Sequence, residues 1–425
     1  MKMTTNNIPQ GKVTPLGIIP NEWEILQLKK LGEIYSGGTP NTNEPNYWNG
    51  NILWCTPSDI TKLKTRFIGD TNQRITPLGL KNSSATLLPP GSILVCTRAT
   101  IGNAAITIKE TSTNQGFKNI KPIKGINVDW LFYYITLNKH RFVQLGVGST
   151  FLEVSKKDFE NFKIIVPTLP EQQKIAEVLS TWDKAIEKQS QLIEKLELRK
   201  KGLMQQLLTG KKRLSGFNGE WEKEKLGDIV QLFKSNTLSR ERLGYSEGTI
   251  LNIHYGDILI KYPTILDVSK NEIPFILDTT DFTSKDYINN GDVIMADTAE
   301  DGSVGKVCEI INVGERKIVA GLHTIFIHPT IKFAPMFLGY YLNSDEYHKQ
   351  ILSIMQGIKV YSITKDALKK TYIKTPCIKE QYAIAEVLLS CDEEINLATK
   401  ELELLQQQKK GLMQILLTGK KRLIR

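Results

Sequence analysis

The sequence predicts an α+β protein in which two mixed α/β domains, related by a pseudo-two-fold axis, are joined by two long antiparallel coiled-coil helices. Two observations predict this fold class. Residues 171–214 recur at 380–423 without a gap, with about 25 of the 44 positions identical, and an internal repeat takes priority over local patterns. The two segments that precede these copies are also similar to each other at framework positions. The plan is therefore domain, helix, domain, helix.

Each copy of the repeat has apolar residues at alternating spacings of four and three, which is the pattern of a coiled-coil seam. This stripe is too narrow for a helix that packs on a globular core, so each helix needs a long partner, and the other copy is the simplest one. Both seams carry a lysine at the same step, Lys200 or Lys409. The apolar seam residues are Ile175, Leu179, Trp182, Ile186, Ile193, Leu196, Leu203 and Leu207, then Ile384, Leu388, Ile395, Leu402, Leu405, Leu412 and Leu416.

Charge predicts that the two helices are antiparallel. Acidic residues gather near both helix starts and basic residues near both ends. This polarity suits each helix dipole, and an antiparallel pair also lays each acidic start beside a basic end. About 38 residues at 1.5 Å rise give a rod of roughly 57 Å, longer than one turn of B-DNA at about 34 Å. A helix pair that serves only for dimerisation is the alternative.

Composition shifts and prolines predict the domain boundaries. We expect an irregular N-terminal lead-in over 1–20, because it contains three prolines. A first domain then covers 21–167, a helix with its linker 168–214, a second domain 215–376, and a helix with its tail 377–425. Short apolar runs predict strands in the first domain, and an aromatic run predicts a helix near 130–135. The predicted strands are 52–55, 93–96, 104–108 and 163–166.

Charge is unevenly distributed along the 425 residues. The formal net charge is +10, which favours a polyanionic partner. Residues 1–214 hold 29 Lys and Arg against 17 Asp and Glu, whereas the rest holds 26 against 28. Five scattered cysteines without a C-x-x-C pair argue against a disulfide framework and against structural zinc. No signal peptide or membrane span is recognisable, so a cytoplasmic location without membrane contact is expected.

Enzyme motifs are missing from the sequence. The run at 302–306 has the wrong spacing for a phosphate loop and predicts a tight turn, and the G-x-G at Gly146 and Gly148 lacks the third glycine of a dinucleotide site. Neither a methyltransferase signature nor H-E-x-x-H occurs. The carboxylates of Asp297, Glu300 and Asp301 are better explained by a solvated loop than by Mg²⁺. We therefore expect no catalytic residue and no metal ligand.

Several polar side chains suit DNA contact instead. Lys62, Lys64, Arg66 and Arg74 form a basic segment that could neutralise phosphates. Arg98 lies in a loop after a predicted strand, where a guanidinium can bind guanine O6 and N7. The equivalent loop of the second domain is acidic, which predicts a different base preference. An ordinary surface charge is the alternative for each. The remaining candidates are Thr100, Lys234, Asn236, Thr298, Glu300 and Lys306.

A family resemblance supports this interpretation. Residues 36–40 (SGGTP), 54–59 (WCTPSD), 97–102 (TRATIG), 169–176 (LPEQQKIA) and 207–212 (LLTGKK) resemble the specificity subunit of type I restriction-modification systems. Residues 252–258 (NIHYGDI) are similar to another signature of its recognition domains. The resemblance covers essentially the chain from about residue 17. Lys379 departs from it, since the first copy has Pro170 there, and the second helix could start elsewhere.

The resemblance implies a non-catalytic DNA reader. Two target recognition domains would each bind one half of a split, asymmetric site in double-stranded DNA, and the helices would fix the gap. Two methylation subunits and two restriction/translocase subunits would be the partners. S-adenosylmethionine, ATP and Mg²⁺ would belong to those partners, with no cofactor in this chain. The alternatives are a self-sufficient endonuclease or methyltransferase and a coiled-coil adaptor that binds no nucleic acid. The sequence leaves open which bases are read and how long the gap is.

Overall fold

The computed structural model describes residues 11–148, 152–279 and 286–423. The chain forms two compact units. The first unit contains the chain up to residue 192 together with the residues from 398 onward, and the second contains residues 193–397. Each unit thus combines one globular domain with one segment from each of two long helices.

The first half of the chain alternates strands and short helices before its long helix. Its strands are β1 Gly11–Thr14, β2 Gly17–Pro20, β3 Glu24–Gln27, β4 Gly32–Ser36, β5 Trp48–Cys55, β6 Phe67–Ile68, β7 Gln73–Ile75, β8 Ile93–Cys96, β9 Ala104–Thr107, β10 Thr111–Thr113, β11 Phe117–Pro122 and β12 Lys163–Val166. Its helices are α1 Pro57–Thr61, α2 Pro77–Lys81, α3 Val128–Leu137, α4 Lys139–Gln144, α5 Lys156–Asn161 and α6 Leu169–Leu207.

A five-stranded sheet with the order β4-β11-β8-β9-β6 forms the centre of the first domain. Strands β6 and β9 are parallel, and the other neighbours are antiparallel. All four residues of the middle strand β8 are buried, as expected when both faces of a strand are covered. Helix α3 packs beside β9 and adds Trp130 and Tyr133 to the core. A smaller sheet, β10-β5-β7, leads into α1.

The second half repeats this arrangement. Its strands are β13 Glu222–Lys225, β14 Val230–Phe233, β15 Leu243–Gly244, β16 Ile250–Ile253, β17 Ile265–Asp267, β18 Phe275–Ile276, β19 Val293–Ala296, β20 Thr298–Ala299, β21 Val307–Ile311, β22 Lys317–Ala320, β23 Thr324–Pro329, β24 Tyr361–Ser362 and β25 Tyr372–Thr375. Its helices are α7 Leu226–Ile229, α8 Tyr255–Ile260, α9 Phe337–Leu342, α10 Asp345–Ile354, α11 Lys365–Leu368 and α12 Ile378–Leu416.

The two domains share their sheet topology. The central sheet of the second domain has the order β14-β23-β19-β21-β17, again with the last two strands parallel. Its smaller sheet pairs β16 with β22 in parallel, as β5 pairs with β10. The predicted α+β fold with two repeated mixed domains and long helices is therefore confirmed.

The local predictions for the first domain are mostly confirmed. The strands expected at 52–55, 93–96, 104–108 and 163–166 and the helix near 130–135 are all present. The irregular lead-in is wrong for its described part, because β1 and β2 form an antiparallel hairpin. Pro15 lies in the turn and Pro20 ends β2, so neither proline interrupts the ladder as a central residue would. Residues 1–10 lie outside the described residues.

Both long helices contain 39 residues and keep the offset of 209 at each end. The start of the second helix is therefore not shifted, although Lys379 replaces the proline of the first copy. Gly210 and Gly419 follow the last turns with φ of +68° and +75°. This left-handed conformation ends many helices, and glycine adopts it without steric cost. Among the residues described, no helix combines the length and apolar character needed to cross a lipid bilayer.

In the first unit, the segments of α6 and α12 are antiparallel. Asp183 of α6 is paired with Lys409 of α12. Glu171 at the start of α6 accepts a hydrogen bond of 2.7 Å from Arg422, which lies just after the end of α12. Trp23 donates its indole N–H to the same glutamate at 2.8 Å. The start of this helix is therefore tied both to the domain that precedes it and to the tail of the other helix.

The second unit repeats these contacts at the same offset. Asp392 of α12 is paired with the seam lysine Lys200, and Glu380 receives two hydrogen bonds of 2.6 Å from Arg213. As residue numbers rise along one helix they fall along its partner, so these segments are also antiparallel. The predicted apolar seam residues are all buried or partly buried. The seam lysines are thus ion-paired rather than left in an apolar seam.

The residue after each of these glutamates fixes the helix to its own domain. Gln172 accepts a hydrogen bond from the backbone N–H of Asn127 at 2.9 Å and donates to the carbonyl of Pro167 at 3.0 Å. Gln381 makes the equivalent bonds to Ala334 and Pro376, both at 3.0 Å. Both glutamines are buried. The repeated Glu-Gln pair is therefore a structural joint.

Candidate nucleic-acid interface

Four loops meet at one edge of the first domain. They contain residues 36–41, 55–58, 97–100 and 113–116. Gly38 N–H donates to Thr113 O at 2.9 Å, Asn114 N–H to Cys55 O at 3.0 Å, and Thr97 N–H to Gly116 O at 2.8 Å. We call these loops the first four-loop surface. Backbone bonds between segments that are distant in sequence give this surface a defined shape.

Close backbone approach explains the glycine pair of this surface. A Cβ atom on Gly37 would lie 1.8 Å from Asn114 O, and one on Gly38 would lie 2.4 Å from Ala85 N. Neither position can accept a larger residue without moving the backbone. Trp54 also donates its indole N–H to Gly38 O at 2.9 Å. The sequence Ser-Gly-Gly-Thr-Pro therefore serves loop packing.

Helix α1 begins at the same surface and is firmly capped. The Asp59 carboxylate accepts the Thr56 N–H at 2.8 Å and the Thr56 hydroxyl at 2.7 Å, and it also binds Asn72. Asp59 is buried, whereas Ser58 in the same helical turn is exposed. A capped helix end holds the backbone still. The hydroxyl of Ser58 is therefore presented on fixed backbone. Gln115 in the fourth loop is also exposed, and its amide oxygen accepts a hydrogen bond from the Thr39 hydroxyl.

The structure places Arg98 and Thr100 in the third loop of this surface. Ala99 between them has φ of +61°, and the loop closes through a bond of 2.8 Å from Thr100 N–H to Arg98 O. Arg98 is half-buried, and its backbone forms a bridge with Glu153. The Thr100 hydroxyl is buried, so it belongs to the loop interior rather than to the exposed rim. Arg98 thus lies in the loop after β8, as predicted, and its contact with a base edge stays a prediction.

The second domain forms an equivalent surface. Asn236 N–H donates to Ala320 O at 2.9 Å, Tyr255 N–H to Leu322 O at 3.3 Å, and Asp297 N–H to His323 O at 3.1 Å. We call its loops, residues 234–237, 253–256, 297–300 and 320–323, the second four-loop surface. The sheet positions that carry these loops match those of the first domain.

The second four-loop surface has different side chains at its tips. His323 adopts φ of +54° and packs edge-on against Tyr255, with ring centroids 5.2 Å apart. Its Nδ1 lies 3.6 Å from Asp297 Oδ1 and 3.4 Å from the Thr298 hydroxyl. Glu300 is exposed beside them. This surface thus offers a carboxylate, a hydroxyl and an imidazole where the first offers a guanidinium and an amide.

Three predicted phosphate contacts are exposed in the first domain. Lys62, Lys64 and Arg74 all lie on the surface of the segment that follows α1. Arg74 forms an exposed ion pair of 2.9 Å with Asp70. Exposed ion pairs of this kind contribute little and exchange readily. These three residues keep their predicted role as candidates.

Arg66 belongs to the scaffold instead. Its guanidinium binds Asp129 at 2.8 Å and Asp183 at 3.0 Å, and only 13% of its side chain is exposed. It also lies over the rings of Phe67 and Tyr133. The structure therefore contradicts a phosphate contact at Arg66. The two carboxylates that bind it are 63 and 117 residues away in sequence, and the sequence pattern did not indicate them.

The second domain contains two similar corrections. The Asn236 side chain donates to Ala320 O at 2.8 Å and accepts the Leu238 N–H at 3.1 Å, so it holds its own loop. Lys306 donates to Leu259 O at 2.9 Å, and burial lowers the pKa of its ammonium group. Both side chains are therefore engaged in structure. Lys234 is exposed and stays a candidate.

Sequence reasoning did not select the clearest polar tips. Ser58, Gln115, Tyr255 and His323 lie on the two surfaces, yet none of them was a candidate. The motif around Tyr255 was recognised, but no pattern indicated that His323 faces it from a loop 68 residues later in sequence. Over the described ranges, no three His, Cys, Asp or Glu side chains are close enough to hold a metal ion. The run at 302–306 forms the tight turn that was expected.

Comparison with known proteins identifies the family. The model of the type I restriction modification DNA specificity domain matches residues 20–198 and again residues 218–407. The chain belongs to this family. It is a type I specificity subunit with two target recognition domains, as the sequence motifs suggested. The duplicated match corresponds to the two domains with equal sheet order.

Curated relatives carry the same family name. The type I restriction enzyme MjaIX specificity subunit of Methanocaldococcus jannaschii is 35% identical over 54% of this chain, and the match spans 57% of that relative. The MjaVIII specificity subunit of the same organism is 26% identical over 95% of this chain and 93% of its own length. The Escherichia coli EcoR124I/EcoR124II specificity subunit is 30% identical over 38% of this chain and 41% of its own length.

Solved structures agree on the fold. The type I S subunit from M. genitalium aligns over 95% of this chain and 99% of its own, with 14% identity and a TM-score of 0.53. A chain from a study of complex assembly and conformational transition in a type I system aligns over 95% of this chain and 99% of its own, with 16% identity and a TM-score of 0.61. At these identities the likeness shows a shared fold.

Proposed function

We propose that this specificity subunit reads a split, asymmetric site in double-stranded DNA, with one half-site for each target recognition domain. The observation that carries the proposal is the pair of four-loop surfaces, which share a scaffold and differ at their tips. Arg98 and Gln115 can donate to guanine or adenine edges, whereas Glu300 accepts from cytosine N4. Two different tips on one scaffold would produce two different half-sites.

Phosphate contacts would supply most of the affinity, and loop tips would supply the choice of base. Lys62, Lys64 and Arg74 lie on the segment that leaves the first four-loop surface through α1, so they are placed to contact the backbone beside a base-reading surface. Lys234 would serve the second domain in the same way. Such contacts make binding strongly dependent on salt concentration.

The chain would recruit methylation subunits through the outward faces of its long helices. In the second unit, Leu198 and Leu397 are 69% and 68% exposed on α6 and α12. Leu404 of the first unit is also exposed. A leucine on a charged helix surface gains free energy when a partner covers it, about 2 kcal/mol at full burial. Loss of co-purification with a methylation subunit in the Leu198→Ser and Leu397→Ser variants would test this.

Partner subunits would supply the chemistry. The resemblance leads us to propose that methyl transfer from S-adenosylmethionine and ATP-driven translocation with Mg²⁺ occur on two methylation and two restriction subunits. Purified chain incubated with S-adenosylmethionine, Mg²⁺ and DNA should show no activity until the methylation subunit is added. Activity of the chain alone would favour a self-sufficient enzyme.

Methylation mapping of domain exchanges tests the central proposal. Replacing residues 20–167 with the corresponding domain of another family member should change one half-site and leave the other intact. The matched control replaces residues 215–376 and should change only the second half-site. Changes in both half-sites from either exchange would contradict one domain per half-site.

The helices would set the unread gap between half-sites. An insertion of four residues after Gly210 should lengthen the gap and preserve both half-sites in the same mapping assay. An unchanged gap would mean that the helices do not act as a spacer.

A further inference from the structure

A rigid hairpin connects α10 to β24 in the second domain. Gln356 and Ser362 exchange two backbone hydrogen bonds of 3.0 and 2.8 Å. Gly357 has φ of +122°, and a Cβ atom there would lie 1.9 Å from Val360 O. Only glycine fits this turn without a backbone shift. We call residues 356–362 the tip hairpin.

The tip hairpin carries an almost fully exposed isoleucine. Ile358 is 92% exposed, the highest value among the large apolar side chains described, and Val360 is 51% exposed. Lys359 between them is also exposed. Single exposed apolar residues are common on protein surfaces and need no function. The position of Ile358 relative to the second four-loop surface is what gives it significance.

The tip hairpin is joined to the second four-loop surface by backbone pairing. Its strand β24 pairs antiparallel with β20, so Ser362 is opposite Thr298 and Tyr361 is opposite Ala299. Ile363 N–H then donates to Asp297 O at 2.9 Å. Thr298 is itself a predicted base contact. A ligand that covers this loop therefore meets the hairpin as a continuous part of the same surface.

Basic groups border the same place. Lys365, just after β24, donates to Phe233 O, and its ammonium group lies near both Lys234 and Asp297. Lys359 and Lys234 are exposed. The second four-loop surface and the tip hairpin thus combine exposed lysines with an exposed isoleucine, which suits a ligand that combines phosphates with apolar base edges, the chemistry of a DNA groove.

We propose that Ile358 is a specificity-determining residue that makes apolar contact with a thymine methyl group in the half-site read by the second domain. The C5 methyl of thymine is the apolar feature of the major groove, and aliphatic side chains recognise it. This inference rests on the proposed function and adds one reading residue to it. The rigid turn at Gly357 holds the isoleucine in place before DNA binds, which reduces the entropy lost on binding.

The experiment uses the complex of this chain with its methylation subunit and a duplex that contains the methylation-mapped site. Ile358→Ala should weaken binding to that duplex about tenfold and to an unrelated duplex less than twofold. The matched control is Ile260→Ala, since Ile260 is 89% exposed in the same domain at the far end of α8, and it should bind like the wild type. Ile358→Val, which keeps a branched side chain, should retain most of the affinity.

Replacement of single thymines by uracil identifies the contact, because uracil lacks only the methyl group. One such replacement in the second half-site should weaken wild-type binding several-fold and have little effect on Ile358→Ala. Equal effects on both proteins at every thymine would overturn the proposal. Normal DNA binding by Ile358→Ala would also overturn the proposal, even if the variant chain no longer bound its methylation subunit. If the wild-type complex itself showed no preference for the mapped site, the proposed function would fail first.

Discussion

The duplicated domains have diverged little at the helix joints and much at the four-loop surfaces. The joints comprise the repeated Glu-Gln pair together with Asp183 in the first copy and Asp392 in the second. At the joints, Asp183 and Asp392 occupy equivalent positions and each binds a seam lysine of the other helix. Each also accepts a hydrogen bond from a tyrosine of its own domain, Tyr133 or Tyr340. The joints are nearly copies of one another. An aspartate–lysine ion pair, a glutamate–arginine ion pair and a tyrosine hydrogen bond therefore recur in both copies, and among the described residues only the first copy adds the bond from Trp23 to Glu171.

The four-loop surfaces have kept only their backbone connections. Bonds between equivalent loops recur, yet Arg98 and Gln115 of the first domain have no counterparts among Thr298, Glu300 and His323 of the second. A loop tip can change its side chain at little cost in stability, whereas a buried ion pair cannot lose a partner cheaply. Divergence at the loop tips can therefore alter recognition without unfolding the protein.

Removal of a joint glutamate should give the largest effect on stability. Glu171→Ala leaves the Trp23 indole N–H without its partner and Arg422 with exposed Glu22 alone, and Glu380→Ala leaves Arg213 with only the carbonyl of Gly219. Both glutamates are buried, so we expect each change to lower the free energy of unfolding by about 4 kcal/mol, with the larger loss for Glu171. Urea unfolding followed by tryptophan fluorescence measures the loss.

Exposed Glu177 on the same helix provides the control for these variants. It pairs with Lys174 in a solvent-exposed i,i+3 contact, and Glu177→Ala should change the free energy of unfolding by less than about 0.5 kcal/mol. If the joint variants unfolded at the same urea concentration as Glu177→Ala, the joints would not hold the domains to the helices.

A buried glutamate should give the second domain a pH-dependent stability that has no counterpart at the equivalent position of the first domain. Glu309 on β21 accepts backbone N–H bonds from Met336 and Gly339, and burial raises the pKa of its carboxyl group from 4.5 to about 7. The first domain has Ile106 at this position, opposite Ile93 as Glu309 is opposite Val293. The folded protein therefore holds a proton that the unfolded chain releases between these pKa values.

The direction of the pH effect follows from this proton. Because the folded state binds more protons between pH 4.5 and 7, the stability of the second unit should fall as pH rises through this window. A shift of this size corresponds to about 3 kcal/mol. The Glu309→Gln variant should lose this part of the pH dependence, measured as the difference from the wild type in urea unfolding at each pH. Parallel profiles for the two proteins would assign the pH dependence to other groups.

Periodicity and repetition made the long helices, the duplicated fold and the main strands predictable from sequence. Side-chain contacts between residues that are distant in sequence were not predictable in this way. Arg66 resembled its basic neighbours, yet its ion pairs with Asp129 and Asp183 exist only after α3 and α6 have packed together. The rings of His323 and Tyr255 meet because the backbone N–H of Tyr255 binds the carbonyl of Leu322, which holds the two loops together. Domain boundaries and individual DNA contacts stay predictions.

Removal of a single phosphate contact at Lys62 should give the smallest of these effects, and Arg66 provides the comparison. Lys62 is exposed, so Lys62→Gln should weaken binding equally on specific and unrelated duplexes, by about 1 kcal/mol or less at moderate salt. Loss of one phosphate contact should also reduce the slope of log affinity against log salt concentration by about 0.9. Arg66→Gln is the matched variant and should lower the stability of the first unit while leaving that slope unchanged. A reduced slope for Arg66→Gln at full stability would show that its guanidinium leaves the carboxylates when DNA binds, and Arg66 would again be a phosphate contact.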